Sequence, residues 1–388
     1  MRILATAKKA LLPFLAFILA LFAGGLVIGL TDSKVLAKFS QPLEFIKIFS
    51  STVGNAYLAL FQGSIYDPNL AEESYFLAGF YPLTETLAVA APLILCGLSV
   101  AIAFKAGLFN IGAQGQFIFG AIGASYIGFH FSMPFVLHAI VAIVFGVFLA
   151  ALWGGIVGVL KARTGAHEVI VTIMLNYIAA NFLLWLLGTS TFLRPGRLDP
   201  IAPPVAESAM LHRLFGSNYP INIGIFIALL VALGYWWFIN RSTPGFKMRA
   251  VGANSAAAKT AGISVQKSTI VVMLMAGGLS GLAGAIHVLG FQFELTSDVA
   301  GSFGFDAITV ALLGRGNPVG VILAALLFAA LRVGGVTMQS NVQVPIEIVL
   351  VIQALVVLFV AAPGLIKQIF RVRSLDTGTE VVSKGWNG

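Results

Sequence analysis

Charged residues are scarce in this sequence, since Asp, Glu, Lys and Arg together make up only 10% of its 388 residues. A soluble domain carries about 25% charged residues, because its surface must be solvated by water. The deficit excludes a soluble catalytic domain of any size. The chain also has a single cysteine, Cys96, so it has no disulfide framework and is not expected to hold zinc.

Motifs for nucleotide binding and hydrolysis are missing as well. The segment GANSAAAKT at 252–260 is the nearest to a Walker A motif, but it lacks the glycine before Lys259 and the spacing that surrounds phosphates with backbone amides. His167-Glu168 does not begin a zinc protease motif, because position 171 is valine. The sequence also has no nucleophile elbow. We therefore expect no catalytic residue, no metal site, no cofactor and no enzyme activity.

Hydrophobic residues take the place of the missing charge, at 59% of the chain with a mean hydropathy of +0.96. Many apolar runs approach the roughly 20 residues that a helix needs to cross a bilayer. We predict an all-α, polytopic membrane helix bundle with about ten spans. The predicted spans are 10–30, 83–104, 114–131, 134–160, 168–188, 221–240, 267–290, 303–314, 317–334 and 344–362.

Some of these helices are expected to be broken. The run 303–314 is too short to cross, so it predicts a broken or re-entrant element among other helices. Gly and Asn interrupt apolar sequence at 109–112 and again at 314–318, once in each half of the chain. Paired interruptions of this kind predict an internal repeat around a central site.

The basic residues predict the orientation of the chain. With the N-terminus inside, sixteen of the 23 lysines and arginines lie in predicted inner segments and seven in outer ones. This bias favours both termini in the cytoplasm, and it accounts for the net charge of +8 without a nucleic acid partner. We predict one transmembrane domain, 1–388, with an outer segment at 31–82, a cytoplasmic loop at 241–267 and a cytoplasmic tail at 363–388.

The loop 241–267 has the sequence features of a short surface helix. Asn254 and Ser255 are expected to cap a helix over 256–261, which ends at Gly262. Short, rich in alanine and cytoplasmic, this helix is suited to docking against another protein. The alternative is an ordinary basic connecting loop.

Three stretches resemble the permease subunits of bacterial ABC importers, in the ribose and branched-chain amino acid permease superfamily. They are GLFNIGAQGQF at 107–117, HEVIVTIMLNYIAANF at 167–182 and RAVGANSAAAKTAGI at 249–263. The resemblance extends from about residue 80 to 365. The second stretch is most similar to the nucleoside branch, whose members work with lipoproteins of the basic-membrane-protein type.

This resemblance implies several partners: a cytoplasmic ABC ATPase that hydrolyses ATP, a second homologous permease, an extracytoplasmic substrate-binding lipoprotein and the lipid bilayer of the bacterial inner membrane. It also implies that the loop 241–267 couples the permease to the ATPase, as a rigid element that transmits a push. The coupling residues would be Gly252, Ala253, Asn254, Ala257, Ala261 and Gly262.

Polar side chains at membrane depth suggest the solute path. Asn110, Gln114 and Gln116 lie among glycines, and Asn176 is about two turns, or ~12 Å, into its helix. Carboxamides bind a neutral solute without carrying charge, although hydrogen bonding between helices is the alternative for each of them. We add to the path the acidic start of the short element, two aromatic rings able to stack on a base, and one amide of the last span: Asp306, Phe109, Phe305 and Gln353.

Three other functions remain open. The cargo of an ABC permease of this kind can be a simple sugar or a branched-chain amino acid. The chain can also be a secondary transporter driven by protons or sodium, or a scaffold that anchors a complex without transport. Uptake that depends on a partner ATPase would distinguish an ABC permease, whatever its cargo, from a secondary transporter or a scaffold.

Overall fold

The computed structural model describes residues 2–73 and 76–370, and this part of the chain consists of helices and connecting loops. In the described ranges β pairing is limited to two isolated bridges, Ile201 with Thr296 and Arg213 with Asn222. The predicted all-α class is confirmed. The α-helices are α1 (Arg2–Thr31), α2 (Ser33–Leu36), α3 (Pro42–Ser64), α4 (Pro68–Glu73), α5 (Tyr81–Lys105), α6 (Ala113–His130), α7 (Phe135–Thr164), α8 (Glu168–Leu187), α9 (Gly224–Arg241), α10 (Thr243–Ala253), α11 (Ser255–Thr260), α12 (Val265–His287), α13 (Phe303–Leu313), α14 (Pro318–Val342), α15 (Glu347–Ala361) and α16 (Pro363–Ile369).

Six of the described helices are long and apolar enough to cross a membrane. They are Leu77–Lys105, Phe135–Thr164, Glu168–Leu187, Gly224–Arg241, Val265–Gln292 and Pro318–Val342. Three shorter apolar helices are Leu15–Thr31, Phe303–Leu313 and Glu347–Val360. Every predicted span falls on a helix, whereas the count of about ten crossings and the internal repeat stay predictions.

The chain forms two compact units, the first of Met1–Leu83 with Ala330–Gly388 and the second of Thr84–Ala329. In the first unit, α1 packs on α3 and α15 through small residues. A Cβ built on Gly25 would lie 3.0 Å from the Val53 side chain of α3, and Gly24 lies against Ile352 of α15. Residues 363–370 of the predicted tail belong to this unit, and its residues 371–388 lie outside the described part of the chain.

The centre of the second unit is a close crossing of α6, α7 and α12. A Cβ built on Gly146 of α7 would lie 2.5 Å from the carbonyl oxygen of Gly120 on α6. A Cβ on Gly154 would lie 2.9 Å from the Cα of Gly277 on α12. No side chain fits in these gaps, so glycine is what allows the three backbones to approach, as is common between helices in lipid.

Local sequence sets the ends of the helices around the site. α7 stops at Gly165, whose φ of 71° is in the left-handed region that glycine favours. α13 stops at Gly314, and α14 begins at Pro318 after a short break. In that break the Asn317 side chain accepts a hydrogen bond from the Val319 N–H, at 3.2 Å. The element predicted at 303–314 is therefore a short helix followed by a break.

Candidate functional site

The backbone leaves the helical path between α5 and α6. Gly107 has a φ of 73°, a conformation that costs little for glycine only. The Leu108 N–H donates to the Ala103 carbonyl at 2.9 Å, which closes the end of α5. Residues 108–112 follow as a short irregular segment, the α5–α6 break, before α6 begins at Ala113.

Asn110 is fully buried in the α5–α6 break and its carboxamide is surrounded by partners. Its Nδ2 donates to Gln116 Oε1 at 3.0 Å and to Ser99 Oγ at 3.4 Å. Its Oδ1 accepts from Gln116 Nε2 at 3.2 Å and from the Gly112 N–H at 3.0 Å. Ser99 in turn donates to the Ala276 carbonyl at 2.6 Å. Asn110 therefore ties the break to α5, α6 and, through Ser99, α12.

Asn176 holds the same break from α8. Its Oδ1 accepts from the Gly115 N–H at 2.9 Å, and its Nδ2 donates to the Ile111 carbonyl at 2.9 Å. Both bonds satisfy backbone groups that the break leaves without a helical partner. In this structure Asn110, Gln116 and Asn176 thus act as internal braces.

Gln114 connects the break to α13. Its Nε2 donates to the Gly301 carbonyl at 2.7 Å, and its Oε1 accepts from the Gly304 N–H at 2.8 Å. Asp306 lies in the first turn of α13, where a negative charge is favoured, and accepts from Ser302 Oγ at 2.7 Å. One amide side chain therefore positions the helix start that carries Phe305 and Asp306.

The remaining predicted path residues differ in exposure. Phe109 is 38% exposed and Phe305 49% exposed, so their rings are accessible. Phe109 also packs on Phe104, with 4.9 Å between ring centroids. Gln353 lies on α15, in the first unit, where it is buried.

Three aromatic rings pack together near the start of α13, an arrangement that was not predicted from the sequence. Phe117 of α6 and Phe303 of α13 are stacked, with centroids 5.4 Å apart and an interplanar angle of 7°. The His287 ring lies 4.9 Å from Phe303, just before a π-helical turn at Val288–Gln292. π-helical turns are frequent at functional sites. A single histidine inside an apolar span was the only signal of this group in the sequence.

The predicted capped helix of the loop 241–267 is present as α11. The Asn254 side chain accepts from the Ala257 N–H at 3.0 Å, and Gly262 has a φ of 78°. Ala258 is buried, while Ala257 and Ala261 are exposed. The small exposed face of α11 thus remains open to another surface.

The helix before α11 rests on the bundle. Met248 of α10 belongs to a buried cluster with Ala106 at the end of α5, Val157 of α7 and Met273 of α12. On the next turn of α10, Gly252 touches the turn that precedes the α5–α6 break. A Cβ built on Gly107 would lie 3.1 Å from the Gly252 Cα.

The break between α13 and α14 comes close to the same place. A Cβ built on Gly316 would lie 3.1 Å from Lys105 Cε, at the end of α5. Tyr235 of α9 donates its hydroxyl to the Gly316 carbonyl at 3.2 Å. The interruption at 314–318 therefore lies beside Lys105, whose carbonyl oxygen also faces Gly252 near the end of α10.

The loop 189–223 between α8 and α9 is fastened to the segment after α12. The Ala202 N–H donates to the Leu295 carbonyl and the Val205 N–H to the Phe293 carbonyl, both at 2.9 Å. At an exposed tip of this loop, Arg197 donates two hydrogen bonds to Asp199, at 2.7 and 2.8 Å. These bonds hold the pKa of the Asp199 carboxyl below its ordinary value.

The chain belongs to a family of permeases. Residues 83–361 match the family described as the permease component of branched-chain amino acid transport systems, and this range extends from the third residue of α5 to the end of α15. The resemblance inferred from three short stretches is thus confirmed over most of the chain. The protein is a multi-pass membrane permease, and its relatives are transporter subunits.

Three proteins are similar to this chain over most of its length. The guanosine ABC transporter permease protein of Bacillus subtilis is 37% identical over 91% of this chain and 93% of that protein. A nucleoside ABC transporter permease protein of Lactococcus lactis is 34% identical, over 78% and 86%. A glucose ABC transporter permease protein of Haloferax volcanii is 33% identical, over 75% and 79%. No solved structure matches this chain.

Proposed function

We propose that this chain is the transmembrane subunit of an ATP-driven ABC importer for nucleosides. The observation that carries this proposal is the 37% identity with the guanosine permease across nine tenths of both chains. ATP hydrolysis takes place on a separate cytoplasmic ATPase, and a second homologous permease completes the pathway. An extracytoplasmic binding protein delivers the nucleoside from outside.

The coupling element is the pair α10 and α11. The exposed face of α11, with Ala257 and Ala261, fits a groove on an ATPase, because small side chains allow a close approach. The buried Met248 anchors α10 to the bundle, so a push on α11 displaces α10 as a rigid body. Together, Gly252, Ala253, Asn254, Ala257, Ala261 and Gly262 are the proposed coupling residues.

The solute path runs past the accessible side chains near the α5–α6 break. Phe109 and Phe305 offer rings for stacking on a base, and Gln114 and Asp306 offer polar groups beside them. Asn110, Gln116 and Asn176 hold the shape of this path by bracing the break. Gln353 is also kept as a proposed path residue.

The motion is an alternation of access produced by two rocking permeases around a site near the middle of the membrane. An internal repeat and about ten crossings belong to this proposal, as does a cytoplasmic C-terminus. The second candidate cargo is a simple sugar, which is supported by the relative named as a glucose permease.

The test is uptake of radiolabelled guanosine by the complete importer, reconstituted in proteoliposomes that are loaded with ATP, with the binding protein added outside. We expect unlabelled adenosine or cytidine to compete, and glucose, ribose and leucine to have no effect at the same excess. Competition by glucose alone would transfer the assignment to sugars. Absence of any solute uptake by an assembled complex would favour a scaffold.

A further inference from the structure

We infer that α3 is inserted in the membrane beside α1 and that the N-terminus of the chain faces the outside. In this topology residues 31–82 are not a single outer segment, because α3 crosses the membrane and forms a helical hairpin with α1. Which end of the hairpin faces the cytoplasm is inferred from the proposed function, because the proposed function places the loop 241–267 in the cytoplasm. The hairpin itself rests only on contacts inside the first unit.

The register between α1 and α3 shows that the two helices run antiparallel over a long distance. Tyr57 of α3 donates its hydroxyl to the Leu21 carbonyl of α1. One turn further along α1, Gly25 meets Val53, and another turn further Gly29 meets the Phe49 ring. Each advance of four residues along α1 is matched by a step back of four along α3. The pairing therefore continues for at least two turns in regular antiparallel order.

The length and surface of α3 suit a bilayer. With 23 residues it is roughly 34 Å long, at 1.5 Å per residue, and the hydrocarbon core is about 30 Å thick. No charged residue occurs between Lys47 and Asp67. Large apolar side chains remain exposed along its surface, including Ile46 at 63%, Leu58 at 54% and Phe61 at 47%. In lipid these side chains are solvated, whereas in water they form an apolar patch.

Three of the seven uncharged polar side chains of α3, those of Ser50, Tyr57 and Ser64, donate to backbone carbonyls within the hairpin. Ser50 Oγ donates to the Ile46 carbonyl at 2.8 Å, and Ser64 Oγ donates to the Leu60 carbonyl at 2.8 Å. Tyr57 uses a backbone carbonyl of α1, as described above. Since unsatisfied polar groups are costly in hydrocarbon, these bonds lower the cost of inserting a helix that is less apolar than an ordinary span.

Chain connectivity then gives the sides. α5 ends at Lys105, against Gly252 of the cytoplasmic loop, so α5 begins outside and the connector 65–80 is outside as well. A crossing by α3 places the turn 32–41 in the cytoplasm, and a crossing by α1 places the N-terminus outside. The connector contains the acidic residues Asp67, Glu72 and Glu73, which suits an outer position.

The distribution of basic residues does not distinguish the two topologies. Compared with the topology predicted from the sequence, the hairpin topology moves three basic residues near the N-terminus to the outside and three others to the inside. Those moved outside are Arg2, Lys8 and Lys9, and those moved inside are Lys34, Lys38 and Lys47. Sixteen of the 23 lysines and arginines remain inside in either case, so the positive-inside rule is satisfied equally. The choice between the two topologies is therefore based on the packing of α3 on α1.

The test is cysteine labelling with a membrane-impermeant maleimide, in cells whose outer barrier has been removed. The background variant is Cys96→Ala, and single cysteines are introduced at exposed positions, Ser40→Cys in the turn and Asn69→Cys in the connector. We expect Asn69→Cys to be labelled fully in intact cells and Ser40→Cys to gain label only after permeabilisation. Ser33→Cys, in the same turn, is the second reporter if Ser40→Cys does not reach the membrane.

An epitope tag at the N-terminus completes the experiment, and we expect external protease to remove it from intact cells. Labelling of Ser40→Cys in intact cells would restore the outer segment and overturn the inference. A protected tag would overturn the crossing of α1. Ala256→Cys in α11 and Ser217→Cys in the α8–α9 loop are the inner and outer references. External labelling of Ala256→Cys would contradict the proposed function, while the hairpin would still be judged by whether Ser40 and Asn69 lie on opposite sides.

Discussion

Gly107 and Gly252 are in backbone contact, so that a Cβ built on Gly252 would lie 2.8 Å from the Gly107 nitrogen. Gly107 forms the turn that ends α5, and the α5–α6 break with Asn110 begins directly after it. Gly252 belongs to α10, next to the exposed helix α11. In the proposed coupling, a displacement of α10 by a partner reaches the braced break through this contact.

Gly252→Ala tests this contact. Alanine favours a helix more than glycine does, so α10 by itself would gain stability. The added Cβ overlaps the backbone of Ala106 and Gly107, and such overpacking costs about 1–3 kcal/mol. We expect ATP-driven uptake to fall by about tenfold, which corresponds to 1.4 kcal/mol, as measured in proteoliposomes at equal amounts of assembled complex.

Gly234→Ala is the matched control for this prediction. Gly234 lies on α9 with open space around its Cα, so an added methyl group meets nothing within 4 Å. Uptake by this variant should equal that of the unmodified protein. If Gly252→Ala were equally harmless, the contact would have no part in coupling.

Asn176→Ala tests the bracing of the break. The substitution leaves the Gly115 N–H and the Ile111 carbonyl buried without a partner, and each such group costs about 1–3 kcal/mol. We expect the apparent melting temperature in detergent to fall by roughly 5 °C. Asn181→Ala is the control on the same helix, because Asn181 is exposed and its Nδ2 donates to the Tyr177 carbonyl one turn earlier. Equal melting temperatures for the two variants would show that Asn176 does not brace the break.

The ion pair between Lys161 and Glu168 joins the end of α7 to the start of α8. Lys161 Nζ lies 2.5 Å from Glu168 Oε2, and the two side chains are 32% and 10% exposed. Lys161→Met leaves a largely buried carboxylate without its partner, which is more harmful than removing both charges. We expect the single variant to melt several degrees lower, and Lys161→Met/Glu168→Gln to recover most of that loss.

An exposed ion pair is the control for the Lys161 and Glu168 variants. Arg197 and Asp199 are both exposed, and exposed ion pairs contribute little to stability. We expect Arg197→Gln to leave the melting temperature unchanged. A double variant of Lys161 and Glu168 that is less stable than Lys161→Met would contradict the account of that pair.

Phe305→Ala tests the proposed solute path. Stacking of an aromatic ring on a base contributes about 1–3 kcal/mol, so its loss should raise the guanosine concentration for half-maximal uptake by about tenfold. Phe226→Ala on α9 is the control, because Phe226 is similarly exposed, at 55%, and is not one of the proposed path residues. A Phe305→Ala variant with unchanged concentration dependence would remove Phe305 from the path.

Local sequence signals predicted the elements that depend on local chemistry. Asn254 as a cap and Gly262 as a stop are short-range features, and both are present around α11. The glycines around Asn110 predicted the α5–α6 break for the same reason, because a left-handed turn at Gly107 demands glycine.

Contacts between distant parts of the chain were not predicted. The stacking of Phe117 on Phe303 and the contact of Gly107 with Gly252 join residues more than a hundred positions apart, and no pattern in the sequence marks them. α3 was missed for a different reason. Asn55, Tyr57 and Gln62 lower its hydropathy, and only the packing on α1 shows how Tyr57 is satisfied.

The central claim is that this permease is driven by an ATPase on another chain, and one measurement tests it most directly. Guanosine uptake is measured in proteoliposomes that contain the full importer, with the Walker lysine of the ATPase intact or replaced by alanine. We predict that uptake with the intact ATPase requires ATP and that uptake with the alanine variant falls to the background of empty liposomes. Uptake that persists with the alanine variant, or that follows a proton or sodium gradient, would contradict the account.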